Sequence, residues 1–265
     1  MPELPEVEMR RRFVETHALS LRIKRVAVPA PSLLDGVSAQ TLRRALTGQV
    51  FETTHRHGKW LFVRTSAGRW LVLHFGMTGS LGCYPTRDAA PRFVRMRFDF
   101  ANGLSLAFID PRKFGKVGLT NDVQSFLQDR RWGLDPTAPG FDRAAFHQIL
   151  RGRSGLLKAV LMNQRVIAGI GNLYADEMLF QAGLHPAARV EDLKPATVDR
   201  LYDAMTEAFA ASLAVDTDYE RLPERFLLRH RNGAGTCPKC GGTLASLANA
   251  GRTAYYCPRH QRKRS

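Results

Sequence analysis

Three cysteines and one histidine near the end of the 265-residue chain have the spacing of a metal site. Cys237-Pro238-Lys239-Cys240 is followed, after 16 intervening residues, by Cys257-Pro258-Arg259-His260. Two such knuckles at that separation match a zinc ribbon, in which three thiolates and one imidazole hold a single structural Zn2+. His260 stands where a fourth cysteine would; the alternative is a set of unliganded surface cysteines. Cys83 stands alone and reads as a small, partly buried apolar residue. The other end of the chain offers a different chemistry. Pro2 follows Met1, and so small a second residue permits removal of Met1, which frees a secondary amine. An α-amino group titrates near about 7.7–8.0, so part of it is unprotonated and nucleophilic at neutral pH. Such an amine attacks an aldehyde-level carbon and forms an iminium. Glu3 and Glu6 are the neighbouring candidates for acid and base. The plainer alternative is an ordinary helix start.

These groups need elements to hold them. Val7, Val14, Ala18 and Leu21 fall on one face of a helical period at the start of the chain. Strands are predicted over 22–30, 50–55, 59–64 and 69–75, with Ala67-Gly68 as a turn. A hairpin follows. Val94, Met96, Phe98 and Phe100 alternate with Arg95, Arg97 and Asp99, and the pattern resumes at Leu104, Leu106 and Phe108. Asn102-Gly103 between them predicts a type I′ turn. Beyond Asp122 the pattern changes. Pro136 and Pro139-Gly140 mark a linker, and helices are predicted over 144–150, 156–162, 173–182 and 195–213. The metal cluster then frames a hairpin with strands over 243–247 and 252–256, turning at Asn249-Ala250-Gly251. The expected domains are 1–122, a β-rich catalytic domain; 123–140, a linker; 141–220, helical; and 221–265, a zinc-ribbon region.

Charge narrows the partner. Thirty-nine Lys and Arg oppose 24 Asp and Glu, for a net charge of +15, and 31 of the 39 are Arg. The guanidinium fork suits phosphate oxygens, so a polyanion, and nucleic acid first, is the expected partner. Residues 221–265 hold ten Lys/Arg and one acid. No apolar run reaches the length of a membrane span, and acids precede any apolar stretch at the N-terminus. Cysteines grouped for metal point to a reducing compartment. A cytoplasmic, nucleoid-associated protein of bacterial type is expected.

The opening Pro2-Glu3-Leu4-Pro5-Glu6-Val7-Glu8 resembles the formamidopyrimidine-DNA glycosylase / endonuclease VIII family, its formamidopyrimidine branch in particular. Four further segments match in order: His57-Gly58-Lys59-Trp60-Leu61, His74-Phe75-Gly76-Met77-Thr78-Gly79, Asp110-Pro111-Arg112-Lys113-Phe114-Gly115 and Ala168-Gly169-Ile170-Gly171-Asn172-Leu173-Tyr174-Ala175. The resemblance implies an α+β fold: an N-terminal helix with a β-sandwich, a helix–two-turn–helix domain, a zinc-ribbon hairpin, and a DNA cleft between the two lobes. It implies a bifunctional DNA glycosylase and AP lyase of base excision repair. Pro2 would attack C1′ of the damaged nucleotide and expel the base. Glu3 would protonate the sugar, Glu6 would support proton traffic, and β,δ-elimination would cut the strand. Lys59, Asn172 and Arg252 would grip phosphates, with His74 as a further contact and Lys158 near the lesion pocket. A base must leave the stack to be reached, and apolar wedges fill the gap it leaves. Met77 and Phe114 suit that role, and Arg112 would bond the orphan base. Each has a plainer alternative: Met77 and Phe114 as core, Asn172 as a helix cap, Lys59 and Arg252 as solvated charge.

Two departures matter. The fourth zinc ligand is His260 in place of cysteine, which zinc tolerates. Residues 214–226 are also few. Relatives that prefer 8-oxoguanine carry a longer capping loop there, so ring-opened purines or oxidised pyrimidines become the alternative substrates. Only about a dozen residues are expected between the last long helix and a strand leading into the ribbon. The expected partner is double-stranded DNA with damaged bases or abasic sites. No membrane is involved, the expected state is a monomer, and no cofactor enters the chemistry. The competing reading is a non-catalytic or lyase-only protein on the same scaffold that recognises damaged, abasic or kinked DNA.

Overall fold

A computed structural model describes residues 1–231, 235–249 and 251–263. The chain divides into two compact units, Met1–Pro2 with Glu6–Arg131, and Glu3–Pro5 with Trp132–Ser265.

The first unit is a β-sandwich with an N-terminal helix. Helix α1 (Leu4–Ala18) buries Val7, Val14 and Ala18, as their spacing predicts. It ends at Ala18, so Leu21 lies beyond it, and Ser20 takes a left-handed φ of 64°. Strand β1 (Ile23–Ala27) and helix α2 (Ala39–Leu46) follow. Next come β2 (Phe51–His57), β3 (Trp60–Thr65), β4 (Trp70–His74), β5 (Ser80–Pro85), β6 (Val94–Phe100), β7 (Leu104–Ile109) and β8 (Lys116–Thr120). They form two four-stranded antiparallel sheets, ordered β1-β6-β7-β5 and β2-β3-β4-β8. Alternation directs Phe51, Leu61, Val63, Leu71, Leu73, Met96, Phe98, Phe100, Leu106 and Phe108 into one core. Phe51 meets Phe98 edge-on, with ring centroids 5.4 Å apart.

Two expectations are corrected in this unit. The β6–β7 turn is not type I′. Gly103 alone has positive φ there (83°), and its N–H donates to the Phe100 carbonyl at 3.2 Å. That is a three-residue loop closed by a left-handed glycine. Asp99 is buried and accepts from Ser105 Oγ at 2.8 Å, with Arg97 Nε 2.7 Å away. The expected linker begins with helix α3 (Val123–Asp129). The Asp122 carboxylate caps it by accepting from Ser125 N–H at 2.6 Å, and Phe126 packs edge-on against Trp60 and Phe62.

The second unit is helical. Helices α4 (Arg143–Leu150), α5 (Leu157–Met162), α6 (Asn172–Gln181) and α7 (Pro195–Ala214) lie within two residues of the predicted bounds. Helix α6 is the central one. Every residue from Tyr174 to Phe180 is buried, including Asp176 and Glu177. The predicted strand leading into the ribbon is absent among the described residues. Short 3-10 turns at Tyr219–Arg221 and Leu227–His230 take its place, because Leu222, Phe226 and Leu227 anchor this stretch in apolar cores. The ribbon hairpin pairs β9 (Ala245–Asn249) with β10 (Arg252–Tyr256), so the first strand lies two residues later than predicted. Ala250 of the predicted Asn249-Ala250-Gly251 turn lies outside the described residues.

Candidate active site and nucleic-acid interface

The metal ligands converge. One ligand atom each from Cys237, Cys240, Cys257 and His260 lies within 4.8 Å of every other. His260 Nδ1 is 3.6 Å from Cys237 Sγ, and Cys240 Sγ is 3.5 Å from Cys257 Sγ. Backbone loops preset both knuckles. Gly241 N–H donates to the Cys237 carbonyl at 2.8 Å, and Gln261 N–H to that of Cys257 at 2.9 Å. Three thiolates and one imidazole at this separation bind one structural zinc tetrahedrally. The ion pins the base of the hairpin that carries Arg252. Arg252 is exposed and has no ion pair among the described residues.

Glu3 is buried, and its carboxylate accepts from the start of α6. Oε2 takes the N–H groups of Gly171 (2.6 Å) and Tyr174 (3.3 Å), and Oε1 takes that of Leu173 (2.9 Å). A helix N-terminus presents unpaired N–H groups and a positive dipole end, so an acid is well held there. Leu4 N–H donates to the Gly169 carbonyl at 3.1 Å and completes the anchor. Asn172, the first residue of α6, is half-buried. Its Nδ2 donates to the Thr253 carbonyl at 3.1 Å in the ribbon hairpin. Its Oδ1 is buried with no hydrogen-bond partner among the described residues.

Lys158 departs from its expected role. It is fully buried, with Nζ 2.6 Å from Asp176 Oδ1, and it donates to the Thr253 carbonyl at 3.4 Å. Burial pushes its pKa down, against the pull of Asp176. With no exposed surface in this structure, Lys158 is committed to Asp176 and the ribbon hairpin rather than presented at the surface. Asp176 also takes Arg231 at 2.8 Å and the Tyr255 N–H at 3.1 Å. The network therefore ties α5, α6 and β10 together. The pair at 158 and 176 is 18 residues apart, and no local periodicity reveals it.

In the first unit Pro2 is buried, and half-buried Glu6 lies in the first turn of α1. Lys59 occupies the turn between β2 and β3. In the register Trp60 faces His74 and His74 faces Lys116, so three basic residues gather at one end of this sheet. Lys116, which the sequence reading missed, is exposed. Burial first, then Lys59 and Lys116, push the His74 pKa down to about 4. His74 is therefore neutral at pH 7. Its Nδ1 accepts from Gly76 N–H at 3.2 Å, which leaves the proton on Nε2 as a donor.

Met77 and Phe114 are not core residues. They are 37% and 50% exposed, among the few large apolar side chains left in water. The Arg112 guanidinium lies 4.8 Å from the Phe114 ring centroid. Gly76 is required here. A Cβ on it would stand 2.4 Å from the carbonyl carbon of Phe114, so the Met77 turn and the Phe114 loop pack backbone to backbone.

The chain as a whole has relatives. The N-terminal domain family of formamidopyrimidine-DNA glycosylase matches residues 1–117, its H2TH domain 132–222, and the zinc finger found in FPG and IleRS 236–259. A formamidopyrimidine-DNA glycosylase of Halorhodospira halophila is 36% identical, over 99% of this chain and 100% of its own. The chain belongs to the formamidopyrimidine-DNA glycosylase family. The enzyme of Pelobacter propionicus is 34% identical over 98% and 100% of the two chains. Among solved structures, a Lactococcus lactis formamidopyrimidine-DNA glycosylase bound non-covalently to DNA with an AP site superposes with a TM-score of 0.88. It is 26% identical and covers 98% of this chain and 100% of its own. A MutM in complex with DNA containing carbocyclic 8-oxo-G gives 0.89 at 26% identity, over 99% and 100%. As a family member the chain is a DNA glycosylase with AP-lyase activity, removing oxidised and formamidopyrimidine bases in base excision repair.

Proposed function

We propose that the freed amine of Pro2 is the nucleophile, acting on damaged nucleotides in double-stranded DNA. Once Met1 is removed, the unprotonated nitrogen bonds to C1′ as the bond from C1′ to the base breaks. The nitrogen's proton passes through Glu6 to the departing base. Glu3 gives a proton to the ring oxygen, the ring opens, and an iminium links Pro2 to the sugar. Loss of a C2′ proton expels the 3′ phosphate, and a second elimination expels the 5′ phosphate. Lys59, His74, Asn172 and Arg252 hold the backbone, while Met77 and Phe114 fill the gap and Arg112 bonds the orphan base. The zinc contributes the fixed hairpin beneath Arg252, and the elimination steps need only acid–base groups. A reducing cytoplasm suits the zinc thiolates.

The observation that carries this reading is Glu3. Its carboxylate is next to Pro2 along the chain and accepts three backbone N–H groups of one helix start. Such a hold fixes the orientation of an acid–base group one residue along the chain from the amine. We propose further that ring-opened purines are taken in preference to 8-oxoguanine, since 215–226 is short and tied down by Leu222 and Phe226. The test is single-turnover cleavage of duplexes carrying a formamidopyrimidine, 8-oxoguanine, dihydrouracil or an abasic site, with borohydride present. The reading expects trapping at the abasic site and at the ring-opened purine, lost in Pro2→Gln, whose large second residue removes the proline amine and keeps Met1 in place. Trapping that survives Pro2→Gln overturns the nucleophile. Faster trapping at 8-oxoguanine overturns the preference.

A further inference from the structure

We propose that Asp110 is a positioning residue whose buried carboxylate sets the wedge that extracts the lesion. The proposal rests on the reading of Met77, Arg112 and Phe114 as that wedge. Asp110 directly follows β7 and is fully buried. Its backbone is fixed on both sides: its N–H donates to the Phe93 carbonyl at 3.0 Å, and its carbonyl accepts from Arg95 Nε at 2.7 Å. Its carboxylate then bridges two separate segments. Oδ1 accepts from Thr78 Oγ1 at 2.6 Å and from Arg112 N–H at 3.2 Å, while Oδ2 accepts from Gly115 N–H at 2.8 Å.

Each of those donors is in or beside the wedge. Thr78 follows Met77, Arg112 is itself a wedge residue, and Gly115 follows Phe114. The tips have no core to hold them, because Met77 and Phe114 are exposed. Lys113, between Arg112 and Phe114, is left-handed at φ 57°, a conformation that costs energy in a side-chain-bearing residue. A strained loop with exposed apolar tips keeps its shape only if its base is over-determined. The Asp110 carboxylate supplies that constraint, with hydrogen bonds that are strong because the acceptor is charged. Arg10 reinforces it from α1 by donating to the Gly79 carbonyl at 2.9 and 3.2 Å. The wedge is thereby set before DNA arrives, so insertion spends no binding energy on ordering it.

The test compares two substrates on the full-length enzyme. One is a lesion in a fully paired duplex, whose excision needs the wedge. The other is a preformed abasic site in single-stranded DNA, whose cleavage needs none. Asp110→Asn keeps the shape but turns one acceptor into a donor facing another donor. Excision from the duplex is expected to slow about tenfold, the equivalent of one lost hydrogen bond to a charged group. Single-strand cleavage stays within about twofold, since the wedge residues lie outside the elimination chemistry. The fluorescence rise of a 2-aminopurine placed opposite the lesion falls with the duplex rate. Met77→Ala is the control: if it has no selective effect on the duplex, the wedge reading itself fails. If Met77→Ala is selective while Asp110→Asn matches wild type, or slows both substrates alike, the Asp110 proposal is overturned. Thr78→Val removes one arm of the same bridge and carries the same two outcomes should Asp110→Asn not fold.

Discussion

Glu177 gives the helical unit a pH dependence that can be worked out in advance. It lies in α6, fully buried, and accepts from Leu227 N–H (3.2 Å), Leu228 N–H (2.7 Å) and Gln181 Nε2 (2.6 Å). Burial pushes its pKa from 4.5 up to about 7, outweighing Gln181, the two N–H groups and Lys239, which pull it down. The folded chain therefore holds this proton more tightly than the unfolded chain. The stability so gained is complete below about pH 4.5, declines with rising pH, and is lost once pH passes about 7. Raised from 4.5 to about 7, at about 1.4 kcal/mol per tenfold in proton affinity, this amounts to roughly 3 kcal/mol in all, most of it lost between pH 5 and 8. Glu177→Gln keeps the volume and cannot titrate. Urea unfolding followed by far-ultraviolet ellipticity would be run on both proteins at pH 5, 6, 7 and 8. Taking the difference between the two proteins cancels every other titrating group. Relative to wild type, the variant should gain about 2–3 kcal/mol from pH 5 to pH 8, whatever constant offset the lost acceptor brings. A difference flat to within about 0.5 kcal/mol would refute the assignment.

Three further outcomes are expected. Asp176→Asn leaves Lys158 buried without its counter-charge and should cost about 3–5 kcal/mol in thermal unfolding; a loss below about 1 kcal/mol would show the pair is not under load. Arg252→Ala should weaken binding to all duplexes alike and lower the slope of log affinity against log salt by about one unit; an unchanged slope removes Arg252 from the phosphate contacts. Zinc content should be one ion per chain in wild type and in His260→Cys, and should fall in His260→Ala, with chelation costing DNA binding before the β-sandwich unfolds. Full zinc retention in His260→Ala would reject His260 as a ligand.

Much of the architecture was legible because it is written in local periods. The alternation from Val94 to Phe108 is the β6–β7 hairpin, and the knuckle spacing brings four ligands together. What escaped depends on partners distant in sequence. Residues 123–129 read as linker because only the contact of Phe126 with Trp60 and Phe62 makes them a packed helix. Lys158 read as a DNA contact because its partner, Asp176, lies on another helix. The Asn102-Gly103 pair signals a turn but not its length, which the hydrogen bond from Gly103 to Phe100 decides. Of the site, Pro2, Glu3 and the exposed Met77 and Phe114 were legible as residue types in ordered motifs. Asp110 stood in a quoted motif, yet nothing in one dimension shows that its carboxylate reaches Thr78, 32 residues away.

The most direct test of the account is to locate the covalent bond. The enzyme would be incubated with abasic-site DNA, reduced with borohydride, digested, and the cross-linked peptide sequenced by mass spectrometry. The account predicts one adduct, on the nitrogen of Pro2, in a chain that has lost Met1. An adduct on a lysine such as Lys59, or trapping by a chain that retains Met1, would contradict it.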